Sequence, residues 1–272
     1  MRQIFPAEGR GQLGPADPLS AAGPIMPATA GVDDLIAALG EIYAYPEGRC
    51  VKANMIASVD GAIMVDGRSG GLSGPADRLV FSVLRSLADV IVVGAGTARA
   101  ERYRQAQPGE LWQQLRTGRP PAPPIAVLTR RLDLDLTSML FGDAGLARTI
   151  VITTEQAPQD RLQAAARVAD VVVAGAAEVG AAAAINVLGQ RGHRRILVEG
   201  GPMFLGELTA ADLVDELCLT ISPVLEGGYS AARITTAPGV TTAGDGAAKL
   251  AGLRLAGVLE DDGFLLTRYE RA

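Results

Sequence analysis

The chain is 272 residues long, 48% apolar and 20% charged, with a formal net charge of −5. That composition describes a folded globular chain of one large or two small domains and excludes disordered and collagenous classes. A single histidine, two cysteines, few lysines and no run of ~18 uncharged apolar residues also argue against a membrane span, a metal centre and a nucleic-acid surface.

In chain order, residues 1–30 carry Pro6, Pro15, Pro18, Pro24 and Pro27 among glycines and alanines. Such a stretch buries no core of its own and reads as an extended arm that packs on the body or on a partner. After Met1-Arg2 the chain turns to Phe5-Pro6-Ala7-Glu8 rather than to the apolar core of a secretory signal, which points to the cytoplasm. Leu35, Ile36, Leu39, Ile42 and Tyr43 then recur at helical spacing and stop at Pro46-Glu47-Gly48. Residues 1–47 are thus an arm plus one amphipathic helix, and residues 48–272 the main domain.

From Cys50 the pattern alternates. Strands are expected at Cys50 to Ser58, Asp89 to Val93, Ile125 to Thr129, Thr149 to Thr153, Asp170 to Val173, Arg195 to Glu199 and Glu216 to Val224. Helices are expected at Ala76 to Leu87, Gln159 to Arg167, Val179 to Gln190 and Met203 to Ala210. Leu253 to Leu259 and Phe264 to Glu270 flank Glu260-Asp261-Asp262-Gly263, a hairpin signal. The implied fold class is α/β, a covered and mostly parallel mixed sheet closed by antiparallel strands. Cys50 and Cys218 each sit in a strand and read as buried thiols, and His193 lies in the basic turn Arg191-Gly192-His193-Arg194-Arg195 as a surface residue.

In such a sheet ligands collect at the carboxyl ends of strands, where loops meet helix amino termini. Gly94-Ala95-Gly96-Thr97 follows one strand, as a tight turn or as a place where backbone N–H groups approach a phosphate. Glu199-Gly200-Gly201-Pro202 follows another, with a carboxylate at the strand end and proline opening the next helix. Alternation in the first strand puts Lys52, Asn54 and Ile56 on one face, able to line a cleft or an exposed edge. Gly67 to Ser73 is a glycine-rich loop of the kind that folds over a ligand, and Arg78 and Arg85 share one helix face, as an anion clamp or as solvated side chains.

Taken together, Ala57-Ser58-Val59-Asp60-Gly61, Gly74-Pro75 with Arg78, Leu84-Arg85, Ala88-Asp89, Val93 to Thr97 and Val198 to Pro202 resemble the pyrimidine reductase domain of riboflavin biosynthesis. The resemblance implies a dihydrofolate-reductase-like three-layer sandwich. It implies NADPH-dependent hydride transfer to C1′ of 5-amino-6-(5-phosphoribosylamino)uracil, a small pyrimidine substrate, by a homodimer with no metal. No His-x-Glu or Pro-Cys-x-x-Cys precedes Cys50, so the zinc deaminase often fused to this reductase is not expected.

Carried over by motif position, Glu199 and Asn54 are the catalytic residues, and Ser69, Arg85, Glu199 and Lys52 bind substrate. The cofactor falls to Ile56, Gly71, Gly94, Gly96, Thr97, Glu101, Thr129, Gly200, Gly201, Pro202, Met203 and Phe204, with Arg130 and Arg131 nearest for a 2′-phosphate. In the wider fold the paired glycines can be joined by a cis peptide, here Gly200-Gly201. The family usually has lysine where Asn54 stands, Asp where Glu101 stands, and Asp-Pro where this chain reads Arg102-Tyr103-Arg104. Either Lys52, Arg102 or Arg104 then supplies the missing cation, or the substrate is less charged. Two other readings stay open: reduction of dihydrofolate or another pterin, and NADP binding without turnover.

Overall fold

The structure, a computed structural model, describes residues 1–5, 23–24, 31–142, 146–228, 233–236 and 251–272. Two short strands open the chain, β1 (Arg2–Phe5) and β2 (Gly23–Pro24), followed by helix α1 (Val32–Ile42). Strand β3 (Cys50–Ser58) leads through a 3₁₀ turn at Ser69–Gly71 to α2 (Pro75–Leu87), β4 (Val90–Gly94), α3 (Ala95–Ala100) and α4 (Glu110–Leu115). Then come β5 (Ile125–Leu128), β6 (Ile150–Thr153), α5 (Gln159–Val168), β7 (Asp170–Val173), α6 (Ala181–Gln190), β8 (Arg195–Val198) and α7 (Pro202–Ala210). Strands β9 (Glu216–Ser222), β10 (Leu253–Asp261) and β11 (Phe264–Arg271) end the chain.

All strands join one sheet in the order β2-β1-β10-β11-β9-β3-β8-β4-β5-β6-β7. Every pairing from β9 to β7 is parallel, while β11, β10, β1 and β2 add antiparallel. This is the expected mixed sheet with its terminal hairpin. The central strands are covered on both faces and therefore read as continuous apolar runs. In β4, Ile91 and Val93 enter one core with α1, α2 and α5, and Val90 and Val92 enter the other with α6 and α7. Three layers result.

Helix α2 shows why local sequence settles local structure. Gly74 precedes it in an extended conformation, Pro75 occupies its first turn, Asp77 sits near the positive end and Arg85 near the negative end. Its apolar stripe of Val80, Val83, Leu84 and Leu87 is buried. Behind it the indole N–H of Trp112 donates to Ser82 Oγ at 2.9 Å.

The compositional change at residue 47 is not a break in packing. Strand β1 pairs with β10, and Leu39 and Tyr43 of the α1 segment are buried in the same core as α2. Residues 2–5 precede the first proline, so their N–H groups are free to pair. Pro24 lies on the edge strand, where no further ladder bond is required of it. The prolines at 6, 15, 18 and 27, and Lys249, lie outside the described residues. Both cysteines are buried, and burial pushes the Cys50 thiol up to about 12.

Candidate active site

The parallel strands end together on one side of the sheet, and there a cleft of about 600 Å³ opens between β3, α2, α3 and the β8–α7 junction. Strand β3 contributes Asn54, Met55 and Ile56; the following loop contributes Ser69; α2 contributes Arg78, Phe81 and Arg85. The segment after α3 adds Glu101 to Arg104, and Glu199, Gly200, Gly201 and Pro202 close the far wall.

At the floor lies a charged network. Arg85 donates from Nε to Glu199 Oε1 and from Nη2 to Oε2, both at 2.7 Å, a bidentate pair. The Tyr103 hydroxyl donates to Glu199 Oε2, also at 2.7 Å. The guanidinium lies 4.2 Å from the Phe81 ring centroid and 5.4 Å from that of Tyr103, within cation–π reach of both. Burial works against the charge on Arg85, but the Glu199 carboxylate outweighs it and holds the guanidinium above its ordinary range. Burial, then Glu199, pushes Tyr103 well above the usual phenol range, so it remains a protonated donor.

A second feature joins the two glycine-lined turns. The Gly200-Gly201 peptide is cis, as expected, and Gly200 has φ +98°, a conformation that favours glycine. Gly94 N–H donates to Gly200 O at 3.0 Å. A Cβ on Gly201 would stand 2.5 Å from Thr97 Oγ1, so any other residue here makes the Thr97 hydroxyl move. Gly96 has no atom within 4 Å of a Cβ position and faces open space.

The cleft gathers many of the residues singled out from sequence: Asn54, Ile56, Ser69, Arg85, Thr97, Glu101, Glu199, Gly200, Gly201 and Pro202. Several others lie elsewhere. Lys52, expected at the substrate, is fully buried at the opposite end of β3, where its Nζ donates to Glu216 Oε1, Tyr43 O and Ala44 O at 2.9 to 3.0 Å. Alternation assigns it correctly to the face of Asn54 but says nothing of depth along the strand. Phe204, expected at the cofactor, points into the core beneath α7, while Met203 is 57% exposed. Thr129 is buried outside the cleft, its N–H donating to Ile152 O. Gly71 is exposed and lies against Val65, beyond the lining. Arg130 is exposed and 3.6 Å from Glu178. Glu199 is no solitary acceptor, since both its oxygens are engaged.

Sequence reasoning missed the roles of Tyr103 and Phe81. Phe81 lies one helical turn before Arg85, and Arg78 almost one further, so the face shared by the two arginines already contained the ring. Tyr103 carried no periodic signal.

Residues 49–263 match the family described as RibD C-terminal domain. A 2,5-diamino-6-ribosylamino-4(3H)-pyrimidinone 5′-phosphate reductase of Archaeoglobus fulgidus is 33% identical over 181 residues, covering 65% of this chain and 82% of that protein. Its namesake in Methanothermobacter thermautotrophicus is 27% identical over 198 residues, covering 71% and 86%. A crystal structure of a pyrimidine reductase-like protein from Corynebacterium diphtheriae superposes with a TM-score of 0.76 at 26% identity, covering 86% of this chain and 98% of that one. By sequence along most of its length and by fold, the chain belongs to the RibD C-terminal domain family.

Proposed function

We propose that the chain is an NADPH-dependent reductase of a ribosylaminopyrimidine 5′-phosphate, with hydride delivered to C1′ of the opened sugar to leave a ribitylamino product. The observation that carries this reading is the 33% identity to the Archaeoglobus reductase across 82% of that protein. The relatives are named for the 2,5-diaminopyrimidinone, and we take that compound as the substrate in place of the uracil counterpart expected from sequence. The two rings differ by an amino group against a carbonyl.

The cleft suits the cofactor. Gly200, Gly201 and Pro202, at the opening of α7, line the cleft with bare backbone against which a dinucleotide can lie, and Gly96, just outside that lining, leaves the neighbouring turn open. Bound there, the reduced nicotinamide supplies the hydride. The chain's own groups orient the other reactant. Arg85 is held rigid by Glu199 and presents its remaining N–H donors to a ring carbonyl. Asn54 lines the cleft with an amide that offers donor and acceptor to sugar hydroxyls. Positioning of this kind contributes to rate without a histidine base or a metal. A homodimer goes with this reading through the family resemblance, and sedimentation would measure it.

The test is NADPH oxidation with the diaminopyrimidinone phosphate, its uracil counterpart and dihydrofolate side by side. Turnover of the diamino compound is expected to be fastest. Oxidation with dihydrofolate alone, or with none of the three, replaces this reading.

A further inference from the structure

Four arginines line the cleft, and they are not equivalent. We propose that Arg102 and Arg104, on the rim, anchor the phosphate-bearing end of the substrate; the proposal rests on the function inferred above. A phosphate calls for cations with uncommitted N–H donors. Lys52 is sealed in the core with its ammonium donating to three oxygens, and Arg85 is bound through both Nε and Nη2 to Glu199. Arg78 is exposed and lines the cleft as well, but Asp77 directly before it also lines the cleft with a buried carboxylate that accepts from Ser73 Oγ at 2.6 Å, so an anion beside Arg78 meets a like charge.

Arg102 and Arg104 differ from Lys52 and Arg85 in exposure and in pairing, and from Arg78 in having no carboxylate beside them in sequence but Glu101, which is occupied by the Ser69 N–H. Both are exposed, and among the described residues no carboxylate pairs with either. They flank Tyr103, which is turned inward and tied to Glu199, so the floor of the site fixes the segment that carries both cations. All three residues border both the cleft and an adjoining cavity of about 490 Å³, placing the arginines on the ridge where the two meet. Glu101, just before them, accepts the Ser69 backbone N–H at 2.7 Å. Arg102 has φ +52° directly after the last turn of α3, a position that glycine ordinarily fills. A long cationic side chain at such a point is the kind of local strain that accompanies a binding role. The substrate would then lie with its ring over the Arg85–Glu199 pair and its phosphate at the rim.

The experiment is calorimetric titration of the full chain with ribose 5-phosphate, with ribose as the control, for wild type, Arg102→Gly/Arg104→Ala, Arg102→Lys and Arg78→Ala. Glycine is chosen at 102 because it suits the backbone there. Wild type should bind the phosphate and not the plain sugar, the double variant should lose at least about tenfold in affinity, and Arg78→Ala should stay within about twofold. Arg102→Lys should keep most of the binding. No binding by wild type, equal binding by the double variant, or an equal loss in Arg78→Ala overturns the proposal. Ribose 5-phosphate binding without NADPH oxidation by the aminopyrimidine phosphate would sink the proposed function and leave the anchor standing.

Discussion

Two buried glutamates are each held by a cation, at opposite ends of the parallel strands. Glu216 meets Lys52 at 3.0 Å in a strand-to-strand register that sets the two residues side by side. Glu199 meets Arg85 at 2.7 Å. Exposure of the carboxylates does not separate the pairs, since Glu216 is 7% and Glu199 2% exposed at the side chain; exposure of the cations does, at 0% for Lys52 and 18% for Arg85. Lys52 points every donor at a protein oxygen, and Arg268 approaches Glu216 at 3.3 Å from the other side. Arg85 commits two N–H groups to Glu199 and has others left for a ligand. One pair is closed within the protein; the other leaves N–H donors over. Strand polarity decides which, because loops and cleft gather at the carboxyl ends and the core closes over the amino ends.

That contrast can be broken at either pair. Glu216→Ala leaves the Lys52 ammonium without a carboxylate in the interior, while Arg268 keeps Glu270, and should cost about 3 kcal/mol of stability by denaturant unfolding, with turnover per folded molecule unchanged. A large fall in turnover at full folding would erase the distinction. Glu199→Gln should do the reverse, lowering kcat/KM on the order of a hundredfold while NADPH affinity and unfolding midpoint move little. A loss confined to NADPH affinity would put Glu199 on the wrong side of the cleft. Tyr103→Phe removes one charge-assisted bond and keeps the ring over Arg85, so about tenfold in kcat/KM is expected. The phenylalanine variant matching wild type would show that the hydroxyl only fills space.

The sheet was legible because its signals are local. Runs such as Val90 to Val93 and Ile196 to Val198 are apolar on both faces, as strands between two helical layers must be. Helix α4 carries no signal of its own because six residues, Glu110 to Leu115, are too few for a periodic pattern to emerge. Strand β1 was hidden by the prolines that follow it. In the site, Asn54, Arg85 and Glu199 were found by motif, and all three line the cleft. Lys52 lies off the cleft because alternation tells which way a strand side chain faces and not whether the end it occupies is open or sealed; Phe204 lies off it because motif position marks the α7 turn as a whole, and only every third or fourth residue of a helix faces one side. The bond from Tyr103 to Glu199 joins residues 96 apart in sequence, and no local pattern announces it.

Trp112 is the only tryptophan in the chain, and its indole is anchored to Ser82, on the same helix as Phe81 and Arg85. The molecule therefore carries its own optical gauge. Any occupant that nudges that helix alters the surroundings of a single emitter, so fluorescence titration can follow loading of the cleft without a label and without waiting for chemistry to occur.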